Sequence, residues 1–99
     1  NRFIFHFKKD GEPLVRSVTA EGPIEAGLIL MREVGMPVEL VKYRQVVVPE
    51  QDKLWAGRGL SRILLRVGDK EVEGRGVSSD TLKANMRALF GGVNLIYSK

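Results

Sequence analysis

The residues of this chain best placed to do chemistry sit at two strand-to-helix turns. One is Thr19-Ala20-Glu21-Gly22-Pro23-Ile24-Glu25-Ala26; the other is Gly74-Arg75-Gly76-Val77-Ser78-Ser79-Asp80, with Ala84, Ala88 and Asn94 after it. Turns of this kind aim backbone N–H groups out of a helix start, where they can hold an anion. Pro23 at the first helical position wastes no donor, so the N–H groups that follow stay free for a carboxylate or phosphate. Gly22-Pro23 could equally do no more than start a helix, and both readings stand. Ser78, Ser79 and Asp80 favour a helix N-terminus through capping and the helix dipole. Asp80 could also pair with a ligand ammonium from an opposing chain. Two such turns, without a catalytic set, suggest a small anion-bearing ligand that is sensed rather than transformed.

The other reactive residue types argue against catalysis. His6 is the sole histidine and has no acidic or hydroxyl partner near it in sequence, so neither a metal site nor a catalytic dyad follows from spacing. Zero cysteines remove disulfides, thiolate chemistry and cysteine-held metals together. Asp10, Glu12, Glu21, Glu25, Asp69, Glu71 and Glu73 contain no pairing that singles out acid–base work. Gly57-Arg58-Gly59 is too short for a phosphate loop, and Trp55 reads as a loop anchor. No catalytic residue, metal or cofactor is expected.

At 99 residues the chain is long enough for one domain, spanning residues 1–99, with a modest core. Its 43% hydrophobic and 28% charged residues are ordinary for a soluble protein. No apolar run reaches the roughly 18 residues a membrane span needs. The absence of a signal-peptide pattern and of cysteine fits a cytoplasmic setting, and a start at Asn1 suits a fragment of a longer protein. The net charge of +4 is spread along strands, where Arg62, Arg66 and Arg75 alternate with apolar residues. That is a solvated sheet face rather than a nucleic-acid interface.

The elements that must position the two turns follow from periodicity. Phe3, Phe5 and Phe7 alternate with Ile4, His6 and Lys8 as in a half-buried strand, Asp10-Gly11 turns the chain, and Leu14 to Thr19 returns it. A helix opens at Pro23 and runs to Glu33, closed by Gly35 and Pro37. A strand is expected over 40–48, a long loop over 49–59, and a hairpin over 60–67 and 71–77. The inward face of its second arm carries Val72, Gly74 and Gly76, so a helix or a ligand must approach the sheet closely there. The last helix is expected over 79–90, with Leu82, Met86, Leu89 and Phe90 as its apolar stripe and Gly91-Gly92 as its stop. Strand-strand-helix thus occurs twice, 58 residues apart when Ala26 is laid on Ala84, with one further strand between. The fold class is α+β: two pseudo-symmetric units and an additional central strand, antiparallel sheet packed on helices. Leu28-Ile29-Leu30-Met31 covers most of the first helix's circumference, which points to a homodimer packed around it.

Gly74-x-Gly76-x-Ser78-x-Asp80 with Ala84, Ala88 and Asn94 resembles the closing motif of the C-terminal regulatory domain of 2-isopropylmalate synthase and citramalate synthase. Gly22-Pro23-Ile24-Glu25-Ala26 resembles the Gly-Pro-hydrophobic-acidic-Ala motif at that domain's first helix, and Tyr43 falls where the family commonly has tyrosine. The resemblance implies a domain that dimerises and binds leucine or isoleucine between its two copies. It implies feedback inhibition of a separate catalytic barrel, which makes the parent an acyltransferase and leaves this domain without synthase activity. The ligand-site residues it implies are Gly22, Pro23, Ile24, Glu25, Leu40, Tyr43 and Val77, with Asp80 in addition. Asn85 stands where the family usually has serine, and Glu21 where a small or amide residue often precedes Gly-Pro. Those two departures keep open an alternative: a structural dimerisation module that has lost its ligand.

Overall fold

A computed structural model describes residues 1–49 and 57–98. The order is β1 (Arg2–Lys9), β2 (Glu12–Thr19), α1 (Pro23–Glu33), β3 (Glu39–Val47), β4 (Gly59–Val67), β5 (Lys70–Ser78) and α2 (Thr81–Ile96). Both hairpins, both helix starts and the strand between the units lie where hydrophobic periodicity places them. Most of the long loop expected over 49–59, Trp55 included, lies outside the described residues.

The strands form two antiparallel sheets, a β1–β2 ribbon and a three-stranded sheet in the order β3-β4-β5. β3 is central in the chain but an edge strand in space. Its register sets Tyr43 beside Ile63 and Gly74 in one row, and Leu40 beside Leu65 and Val72 in another. Residues opposite one another share a face, so these rows point toward α2. Lys42, Arg44 and Val46, with Arg62, Glu73, Arg75 and Val77, occupy the other face.

Gly74 and Gly76 explain how α2 is seated. A β-carbon at Gly74 would strike the Ala88 carbonyl oxygen and the Gly92 backbone, and one at Gly76 would strike the Ala84 carbonyl oxygen. The close approach that two inward glycines require is therefore made by a helix. Its sheet-facing stripe is consequently Ala84, Ala88 and Gly92, all buried, while Leu82, expected in the apolar stripe, is exposed.

The helix also does not stop at Gly91-Gly92. It continues to Ile96, so the short tail expected after residue 92 is helical. A helical glycine costs about 1 kcal/mol against alanine, but at Gly92 a side chain would press on Leu65 at 2.9 Å and on Gly74. Lys70 Nζ donates to the Ile96 carbonyl at 3.0 Å and the Tyr97 hydroxyl to that of Pro37, fixing the helix end.

One core joins the two units: Val18, Ala26, Leu30 and Met31 from the first pack with Ile63, Leu65, Leu89 and Val93 from the second. The helices touch where Gly27 meets Leu89.

Candidate functional site

The two helix starts occupy equivalent places in the repeat, for 58 residues separate Gly22 from Asp80 as they do Ala26 from Ala84. At α2, Asp80 is the N-cap, and its carboxylate accepts from the Leu82 N–H at 2.9 Å and the Lys83 N–H at 3.4 Å. Those donors are taken. At α1 the N-cap is Gly22, Pro23 follows, and no side chain caps the helix. The equivalent donors, Ile24 and Glu25 N–H, have no side-chain acceptor among the described residues. The Glu25 carboxylate folds back instead to accept from the Glu21 N–H at 3.4 Å. Asn1 steadies the turn, its carbonyl accepting from Ala20 N–H and its amide donating to the Glu21 carbonyl at 3.1 Å.

Leu40 and Tyr43 project from β3 on the face that, one strand further in, is the buried core. Every residue of β3 is nonetheless exposed, Leu40 to 37% and Tyr43 to 40%. Val47 lies on the face of Tyr43 and is also exposed, as are Val41 at the register shift and Val46 on the opposite face. The reason lies in the placement of α2, which rests on β5 and β4 and leaves the sheet edge bare. Val77 lies on the opposite face, paired with Leu60, and its carbonyl accepts from Arg87 at 2.8 Å. One copy of the chain therefore sets the eight sequence-derived residues in three places: Gly22 to Glu25 at the α1 start, Leu40 and Tyr43 on the exposed face of β3, and Val77 near the end of β5 with Asp80 in the turn after it.

Sequence reasoning did not reach the polar cluster behind Tyr43. The Tyr43 hydroxyl donates to Asn85 Oδ1 at 3.0 Å, and the Ser61 hydroxyl donates to the same oxygen at 2.5 Å. Gln45 Nε2 reaches Ser61 Oγ at 3.4 Å. Ser61 is fully buried and Asn85 is 7% exposed. Serine on a strand and asparagine on a helix carry no local signal for this contact, which spans 24 residues.

Two concavities lie elsewhere, and neither is lined by any of the eight residues. One of about 270 Å³ runs along β1 from Phe5 to Lys9, beneath Leu30, Met31, Val34 and Phe90. The other, about 220 Å³, sits on the outer face of the three-stranded sheet among Lys42, Arg44, Arg62, Leu64 and Glu73. There Glu73 bridges Arg62 at 2.8 Å and Arg75 at 2.6 Å. Hydrogen bonds from the Arg62 and Arg75 guanidinium groups pull its carboxyl down to about 2.

Known proteins are similar to this chain in sequence. The family described as "LeuA allosteric (dimerisation) domain" matches residues 4–97. A 2-isopropylmalate synthase of Kocuria rhizophila is 32% identical over 84 residues, which is 85% of this chain and 14% of that protein. One from Ruminiclostridium cellulolyticum is 28% identical over 90 residues, covering 88% of this chain and 17% of the relative. The chain thus corresponds to a small part of each.

Proposed function

The chain belongs to the LeuA allosteric (dimerisation) domain family, and on that premise we propose that it is an effector-binding regulatory domain of a 2-isopropylmalate synthase-like enzyme. Two copies pair, and a branched-chain amino acid, leucine or isoleucine, is held between them. Its binding inhibits the catalytic barrel of the parent synthase, giving feedback control of branched-chain amino-acid synthesis in the cytoplasm. The domain itself performs no catalysis.

The observation that carries this reading is the bare inner face of β3. Leu40 and Tyr43 continue the row of core side chains onto a surface that stays exposed among the described residues. Contiguous apolar surface of that kind marks an interaction site, and a second copy is the partner the family description supplies. A twofold contact would bring the same face from each copy together. The ligand's aliphatic side chain suits Ile24, Leu40 and Tyr43, and its carboxylate suits the uncapped Ile24 and Glu25 N–H groups. Its ammonium suits Glu25. Leucine and isoleucine differ by one methyl position, which such a pocket separates by about 1–3 kcal/mol.

A second reading, a dimerisation module without a ligand, draws on one contact. The Glu25 carboxylate, turned back to the Glu21 N–H, places negative charge beside the donors an anion would use. Calorimetry separates the two. Leucine and isoleucine are titrated into the purified domain, with valine and alanine as controls. The effector reading expects saturable heat with one branched amino acid and a loss of about a hundredfold or more in Ile24→Asp, since the new carboxylate meets the ligand's apolar side chain. Unchanged affinity in a folded Ile24→Asp protein removes the α1 turn from the site. A dimer that gives no heat with any amino acid is the module.

A further inference from the structure

The outer face of the three-stranded sheet, opposite Leu40 and Tyr43, carries its side chains in cross-strand rows. In one row Glu39, Arg66 and Glu71 stand opposite one another and the charges alternate. Arg66 bridges Glu39 at 3.1 Å and Glu71 at 3.8 Å. Two rows further on, Arg44, Arg62 and Arg75 stand opposite one another. Cross-strand neighbours have β-carbons about 5 Å apart, and like charges at that spacing destabilise a sheet. Among the described residues this row is bridged by one carboxylate, that of Glu73, bonded to both Arg62 and Arg75. Lys42, opposite Leu64 in the row between, brings a further cation.

The repeat does not require this arrangement. The positions 58 residues before Arg62, Glu73 and Arg75 are Ile4, Val15 and Ser17. They occupy the same places on the first hairpin, Ile4 opposite Ser17 and Val15 in the next row, and none of them is charged. The arginine row belongs to this face alone.

The face is also hollow there. A concavity of about 220 Å³ is lined by Lys42, Arg44, Arg62, Leu64 and Glu73. Glu73 accepts from Arg62 Nε at 2.8 Å and from Arg62 Nη2 at 3.1 Å, a two-point grip that sets the guanidinium plane. Nη1 takes no part in that grip. Three cations against one carboxylate leave the lining two positive charges in excess, which matches a single dianion.

We propose that this concavity is an anion site for a phosphoryl group, free as inorganic phosphate or carried on a monoester. Arg44, Arg62 and Lys42 are its donors, guanidinium forks being suited to phosphate oxygens. Glu73 is a positioning residue that orients Arg62. Phosphate concentrates its charge on one centre, whereas a dicarboxylate spreads the same charge over two. The positive strip is narrow, bounded by the Glu39–Arg66–Glu71 row on one side and by Val46, Leu60 and Val77 on the other. That width suits one phosphoryl group and not a nucleic-acid backbone, which needs a run of phosphate contacts. The site owes nothing to the effector reading.

The test is a titration of the ¹⁵N-labelled chain with inorganic phosphate, phenyl phosphate and succinate, chloride holding the ionic strength constant. The Nε–H signals of Arg44 and Arg62 are assigned by their absence in Arg44→Gln and Arg62→Gln. Both should shift saturably with phosphate, which should bind at least tenfold more tightly than succinate. Arg44→Gln should weaken phosphate by about tenfold or more, and Arg66→Gln, from the alternating row, should leave it unchanged. At low salt without phosphate, Arg44→Gln should melt above the wild type, because it relieves the like-charge row. Phenyl phosphate bound as tightly as phosphate or more tightly assigns the site to monoesters, and weaker binding assigns it to the free ion.

Shifts that never saturate, succinate bound as tightly as phosphate, or unchanged phosphate affinity in a folded Arg44→Gln chain each overturn the proposal. So does an Arg44→Gln chain that melts below the wild type at low salt without phosphate, for the arginine row then serves the fold.

Discussion

The two strand-strand-helix units share a plan but have spent their residues differently. In the second unit Gly74 and Gly76 let α2 lie directly on β5, and Asp80 consumes the N–H donors that begin the helix. In the first, the positions 58 residues earlier are Arg16, Val18 and Gly22. Both carry side chains where the second unit has glycine, α1 touches β2 only lightly, and glycine at the third leaves the helix start without a side-chain cap among the described residues. The second unit is closed and supplies rigidity. The first keeps its donors, and the sheet edge between the units keeps an apolar face, available to something outside this copy. On the effector reading, stability and recognition are divided between the halves of one repeat.

The largest effect should come from opening the closed unit. Gly74→Ala drives a methyl group into the Ala88 carbonyl and the Gly92 backbone, and neither is a flexible side chain that can swing aside. A loss of about 3 kcal/mol or more is expected, read as a lower denaturant midpoint. A melting curve like the wild type's would mean that α2 is not held by close contact.

Closing the open unit is the complementary change. Gly22→Asp transplants the cap of α2 onto α1, with the Ile24 and Glu25 N–H groups as its targets. Because glycine is already a fair N-cap, stability should rise by only a few tenths of a kcal/mol. Binding of the amino acid should fall at least tenfold, or about 1.4 kcal/mol, since the new carboxylate takes the donors and repels the ligand's own. Retained affinity would free the ligand from the α1 start.

Removing the existing cap gives a smaller and opposite pattern. Asp80→Ala should cost about 1 kcal/mol of stability and leave amino-acid affinity unchanged. A loss of binding without a loss of stability would give Asp80 a role at the ligand.

Acidification probes the outer face of the closed unit. Glu73 titrates near 2 in the folded protein against an ordinary 4.5, so its contribution is complete above about 4.5 and is lost as pH falls toward 2. Glu73→Gln should be less stable than the wild type at pH 6, and the gap should close between those two values. A gap that persists at pH 2 would assign the difference to packing.

Much of this division was legible in the sequence. Alternating Phe3, Phe5 and Phe7, the Gly22-Pro23 helix start and the inward Gly74 and Gly76 are local patterns, each with a local cause. Where the sequence misled, a distant contact had overridden a local preference. Gly91-Gly92 reads as a stop, but Gly92 is the residue that fits between Gly74 and Leu65, so α2 runs through it. Leu82 reads as core, but the glycines of β5 select the alanine stripe of α2 and turn Leu82 outward. That β3 is a bare edge, and that Asn85 stands behind Tyr43, depends on which strands pair and where α2 lies, which periodicity does not encode.

The division is tested most directly by following backbone amide signals of the ¹⁵N-labelled domain during titration with leucine and with isoleucine. One of the two should shift the Ile24 and Glu25 amides saturably, while Leu82 and Lys83, already bonded to Asp80, stay in place. Shifts at Leu82 and Lys83 with Ile24 and Glu25 unmoved would contradict the assignment of recognition to the open half.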